Sequence, residues 1–127
     1  MSDTVTRGIR VQVQAAYVPE RSAPADSYYF FAYNVRVSNE GAETAQLVSR
    51  RWVISGPEGE VGQVEGPGVV GQQPVLEPGQ SFEYSSSCPL QTPLGSMHGW
   101  YRMRLASGEM FEARIAPFSL ATPTALN

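Results

Sequence analysis

Short runs of alternating apolar and polar residues, most closed by glycine or proline, fill this chain. In "IRVQVQAAYV" (9–18), Ile9, Val11, Val13 and Tyr17 share one face, against Arg10, Gln12 and Gln14. In "YYFFAYNVRV" (28–37), Tyr29, Phe31, Tyr33, Val35 and Val37 point one way, and Asn34 and Arg36 the other. "AQLVSRRWVIS" (45–55) gives Val48, Trp52 and Ile54 one parity, although a bulge there would switch the inward residue to Leu47. A short strand follows around Val61–Val64, and "SFEYSSSC" (81–88) turns Phe82 and Tyr84 inward. "GSMHGWYRMRL" (95–105) sets Met97, Tyr101, Met103 and Leu105 against His98, Trp100, Arg102 and Arg104, and "MFEARIAPF" (110–118) aligns Phe111, Ala113 and Ile115.

Period two marks strands that bury one face, and no window of eleven residues has helical apolar spacing. The pattern predicts an all-β sandwich or barrel. The expected fold is an antiparallel two-sheet β-sandwich of seven or eight strands around one core. A Pro/Ala/Ser loop (19–27) and turns at 39–43, 56–60 and 107–109 join the runs. One domain spans 1–127 with its core over about 8–120, and the ends, 119–127 included, are expected to be frayed tails.

Charge narrows the partners. The net charge of −3 and pI near 5.1 argue against a nucleic-acid binder, which needs a basic field. All nine cations are arginine, so neither a phosphate-loop lysine nor a Schiff-base lysine exists. The single cysteine, Cys88, forms no intramolecular disulfide. "MSDTVTRG" has no apolar leader core, and no segment has the length of a membrane span. The expectation is a soluble cytoplasmic protein without a membrane partner, monomeric or weakly self-associating.

One motif invites a nucleotide. Gly66, Gly68 and Gly71 have the Gly-x-Gly-x-x-Gly spacing that cradles pyrophosphate where a strand leads into a helix. Here "QQPVLEPGQ" follows, and Pro78 would fall inside any helix opened by Pro74. The acid expected about 20 residues on is missing as well. The reading is a long irregular connection; a nest of backbone N–H groups that holds an anion without a helix is the alternative.

Other chemistry is sparse. His98 and Cys88 would need contact and an orienting third group to make a nucleophilic pair, and nothing in their spacing demands it. Zinc takes about four ligands, more than this histidine and cysteine supply. Glu58, Glu60 and Glu65 could collect a divalent cation weakly, which with the anion nest makes a ligand or ion sensor the alternative function. Yet they read as a solvated hairpin tip, and Asp3 and Asp26 lie in flexible-looking segments. No catalytic residue, metal site or cofactor is assigned, and the chain is expected not to be an enzyme.

The stretches "YFFAYNVRVSNEG" (29–41), "LVSRRWVI" (47–54), the long segment from "GEV" (59–61) through "GVVGQQPVL" (68–76) and "PGQSFEYSSSCPL" (78–90) to Tyr101, and "ARI" (113–115) with Phe118 and Leu120 resemble the ApaG family, also called the DUF525 domain. The resemblance runs from about Val11 to Leu120. It implies a fibronectin type III-like, immunoglobulin-like sandwich. Arg50, Trp52, Gly66, Gly68, Gly71, Pro78, Gly79, Cys88, Pro89, Gly95, Met97, Gly99 and Tyr101 fall on motif positions, whereas His98 and Trp100 do not. The family's bacterial genes lie beside those for diadenosine tetraphosphatase and a ribosomal RNA dimethyltransferase and are linked to cobalt tolerance and magnesium efflux. Similar eukaryotic domains, in an F-box protein and a polymerase-delta-interacting protein, look like protein-interaction modules.

A docking face completes the expectations. His98, Trp100, Arg102 and Arg104 share the polar side of one run, and Tyr28, Phe30 and Arg36 that of another. If the two strands share a sheet, these residues form one exposed aromatic and arginine patch for an unidentified protein partner.

Overall fold

The computed structural model describes residues 1–125 as two packed antiparallel sheets. Among the described residues there are nine strands: β1 Ser2–Thr6, β2 Ile9–Tyr17, β3 Tyr29–Asn39, β4 Ala45–Gly56, β5 Gly59–Pro67, β6 Val75–Leu76, β7 Ser81–Leu90, β8 Leu94–Leu105 and β9 Met110–Ala121. The first sheet has the order β1-β2-β3-β7. The second has β5-β4-β8-β9, with β6 beside β5 on the same flank of β4. This is the sandwich predicted by the alternation, in a fibronectin type III-like arrangement. No described helix is long and apolar enough to cross a membrane.

The inward parity holds along each run. Val11, Val13, Phe31, Val35, Trp52, Tyr101, Met103 and Ile115 are at most 2% exposed, so both sheets contribute to one core. Tyr29, Phe82 and Phe111 pack at its margin. The β4–β8 register shifts between Leu47 and Ser49, which is the anticipated bulge. It puts Leu47 rather than Val48 inside and still leaves Trp52 inward. A second shift lets β9 gain a residue between Ile115 and Phe118. Pro117 sits there, where no ladder N–H is required.

The ends differ from expectation. All five residues of β1 pair with β2, and Asp3 takes a forked pair of hydrogen bonds from Arg10, at 2.9 Å from Nε and 2.6 Å from Nη2. Thr6 Oγ1 accepts the Arg114 N–H at 3.1 Å, tying β1 to β9. At the other end β9 runs to Ala121 with Leu120 fully buried, so the first three residues of the expected tail, 119–121, are strand. Residues 126–127 lie outside the described residues. The causes differ: β1 needs few apolar residues because β2 supplies its pairing, whereas β9 is extended by Leu120, which is buried in the core.

Candidate functional site

The expected single patch does not form. β3 belongs to the first sheet and β8 to the second, so the outer faces of these strands look in opposite directions. Parity within a strand fixes inside and outside, but carries no information on sheet membership. Two separate aromatic–arginine clusters result.

The first cluster is closed by its own chain. Two short 3-10 turns, Pro19–Arg21 and Pro24–Asp26, fold the 19–27 loop over the start of β3. The Phe30 N–H donates to Ser22 Oγ at 2.8 Å, and the Val18 N–H donates to the Phe30 carbonyl at 2.9 Å. The Arg21 guanidinium lies 4.3 Å from the Phe30 ring centroid, and Phe30 is only 8% exposed. Tyr28 stays exposed beside it. Arg36 is farther along the sheet, 3.9 Å from Glu83.

The second cluster is open. With Trp52 inward, Arg51 must face out, and the register sets it against Trp100 on one side and Glu65 on the other. The guanidinium stacks 4.8 Å from the Trp100 centroid and its Nε lies 3.0 Å from a Glu65 carboxylate oxygen. Arg102 stands between Ser49 and Glu112 on the flanking strands. Ser49, Arg51, Glu65, Trp100, Arg102 and Glu112 are among the residues lining a groove of about 440 Å³. Arg104 continues the row and donates to Gln46 Oε1 at 3.0 Å; His98 pairs with Val53. Arg51 was missing from the expected face. The rule that placed Trp100 outside would have placed Arg51 there too, one residue from an inward tryptophan.

Beneath this sheet the interior is aromatic. Trp52 meets Tyr101 and Phe118 edge-on, at 6.3 and 5.9 Å between centroids, and Tyr33 at 5.4 Å. The Tyr84 and Tyr101 hydroxyls hydrogen-bond each other across the sandwich. Burial pushes both phenols above their ordinary range, and that of Tyr33 too. Burial likewise raises the Cys88 thiol, the opposite of what an activated nucleophile needs. Cys88 belongs to the core and His98 to the outer face of the other sheet, so the structure does not bring them together. Among the described residues no three metal-ligating side chains converge.

The glycine stretch is a turn. Val69 and Gln72 exchange two backbone hydrogen bonds, at 2.8 and 2.9 Å, around Val70 and Gly71. Both central residues have positive φ, 43° and 79°, as a type I′ hairpin turn demands. Gly68 is also left-handed, and a Cβ there would lie 2.1 Å from the Gln72 carbonyl oxygen. The Gly68 N–H donates to the Val48 carbonyl at 2.8 Å, while Arg50 Nη1 donates to the carbonyls of Pro67 and Gly68 at 3.1 and 2.9 Å. Gly66 packs against the same guanidinium. The turn carries Val69 into the core, fully buried. The N–H groups of Gly68, Val69 and Gln72 are thus engaged within the fold, and no helix follows to present others.

Most of the recurring residues therefore build the sandwich. Trp52, Met97, Tyr101 and Cys88 fill the core, and a Cβ on Gly99 would lie 2.0 Å from the Arg51 carbonyl oxygen of the paired strand. The fold and these positions define a class: a single-layer-pair antiparallel sandwich whose long β5–β7 connection is tucked against its own core. The family model of the ApaG domain, DUF525, matches residues 19–105. The chain belongs to the ApaG family. It is 54% identical over 127 residues to Protein ApaG of Anaeromyxobacter dehalogenans, covering all of both chains. It is 52% identical to Protein ApaG of Rhodospirillum centenum, over 97% of this chain and 95% of that one. The crystal structure of an ApaA protein from Bordetella pertussis superposes with a TM-score of 0.87 at 49% identity, over 95% of each chain.

Proposed function

We propose that this protein is a non-enzymatic, adaptor-like interaction module that docks a protein partner on the outer face of the second sheet, around Trp100. The observation that carries this is the open groove in which Trp100, stacked by Arg51, stands beside Arg102. Tryptophan and arginine dominate interface hot spots because they offer large, rigid or multiply bonding contacts. The raised Cys88 thiol supports a binding role over catalysis. The engaged N–H groups of Gly68, Val69 and Gln72 weigh against a nucleotide-phosphate sensor built on Gly66, Gly68 and Gly71. A cobalt or magnesium phenotype is then an indirect consequence of the partner.

Two experiments test this. Capture of partners by the folded Trp100→Ala/Arg102→Glu variant should fall at least about tenfold relative to the unaltered protein; undiminished capture refutes the face. Separately, ATP, GTP or a diadenosine polyphosphate at about millimolar concentration should leave the amide resonances of Gly66, Gly68 and Gly71 unmoved. Saturable shifts there would restore the sensor reading, as would saturable cobalt or magnesium binding.

A further inference from the structure

The two long flanks of the sandwich are unlike. On one, β1 and β9 are joined by the Thr6–Arg114 hydrogen bond and the Arg7–Glu109 ion pair. On the other, β5 and β7 are both sheet edges. β7 pairs with β3 over ten residues without a register shift. Asn39 donates its N–H to the Gln80 carbonyl, and strict alternation from that pair turns the backbone groups of Ser81, Glu83, Ser85 and Ser87 away from β3. Edges of this length are ordinarily blunted by lysine, bulges or a covering element. Here there is no lysine and no bulge, and Pro89 blocks only the far end. In immunoglobulin sandwiches the equivalent edge is covered by a further strand of the same chain.

The facing rim is apolar and acidic. Val61, Val64, Val70 and Val75 are 41–67% exposed and follow β5, the turn after it and β6. Val61 is the extra residue of a bulge, since Ile54 pairs with Gly62 and Ser55 with Glu60. It lines a groove of about 610 Å³ with Pro57, Pro89 and Leu90, at the end of β7. Glu58 lines the same groove, and Glu60 next to Val61, Glu77 after β6 and Glu83 on β7 itself are exposed. Of the nearby arginines, Arg51 pairs with Glu65, Arg36 lies near Glu83, and Arg50 is held on backbone carbonyls.

We infer that β7 accepts an added strand from a partner: an extended, basic segment with apolar residues at alternate positions. Its backbone continues the first sheet. Its apolar side chains cover Val64 and enter the Val61–Leu90 groove, and its cations meet the glutamates. This rests on the binding-module reading but not on the Trp100 face.

The probe is a displayed library of random twelve-residue peptides, screened against the full chain. Enriched peptides should be rich in Arg or Lys and in Val, Ile or Leu at every second position, and should shift amides of Ser81–Leu90, Val61 and Val64. Their affinity should drop about tenfold in Ser87→Pro, which removes an outward N–H, and in the exposed charge reversal Glu83→Arg. It should be unchanged in Trp100→Ala/Arg102→Glu. No enrichment, enrichment of acidic or unpatterned peptides, or full affinity in Glu83→Arg overturns the inference. So do concentration-dependent shifts at the same residues without peptide, which would make a second copy the occupant.

Discussion

Phe30 and Trp100 occupy outer faces of opposite sheets, and each has an arginine stacked on its ring. Around Phe30 the chain supplies the lid itself, through the 19–27 loop and Ser22, and the ring is 8% exposed. Around Trp100 no described segment folds over, and a groove remains. The same residue types thus serve as a local core in one place and as an accessible surface in the other. What separates them is whether a neighbouring loop is hydrogen-bonded over the ring, as Ser22 is by accepting the Phe30 N–H. Composition alone would score the two alike.

Truncation of the two rings should separate the clusters most strongly. Phe30→Ala should cost about 3 kcal/mol in chemical denaturation, because it empties a closed cluster. Trp100→Ala should cost no more than about 1 kcal/mol, as an outer-face ring. Equal costs would mean that the Trp100 cluster is structural too.

The interior under Trp100 comes next. Tyr84→Phe orphans the buried Tyr101 hydroxyl and should cost about 2 kcal/mol, and adding Tyr101→Phe should cost less than the sum of the single changes. The pH dependence follows from the same pair. Their folded-state phenols are raised, so their contribution to stability is intact below the ordinary value of 10.0. It is lost as pH climbs from there towards the folded-state values. Denaturation midpoints followed from about pH 9 to 12 should fall for the unaltered protein and fall less for the double variant. The smallest effect belongs to Arg51→Ala, about 0.5 kcal/mol for a partly exposed cation–π contact, with a freer Trp100 ring in NMR relaxation. Its stability effect should be smaller than that of Arg21→Ala over the closed Phe30.

Strand faces were legible because alternation is local: one inward tryptophan at 52 fixes Arg51 and, through pairing, Trp100. The bulge at Leu47 was legible as a choice between two neighbours. Sheet membership was not, since it depends on which distant strands pair, and so Phe30 and Trp100 were placed together. The lid over Phe30 was missed because a Pro/Ala/Ser loop has no periodicity to read. Val69 and Leu76 were missed as core residues for the same reason, lying in a stretch of turns and a two-residue strand. β1 escaped notice because Asp3, Thr4 and Val5 owe their order to β2 and to Arg10 rather than to an apolar face of their own.

In the proposed docking mode a partner covers the open cluster and leaves the closed one alone. Amide hydrogen exchange on the protein with and without its captured partner tests it most directly. New protection is expected at 49–51 and 98–104, with residues 19–30 unchanged. Protection at 19–30 with none at 98–104 would contradict it.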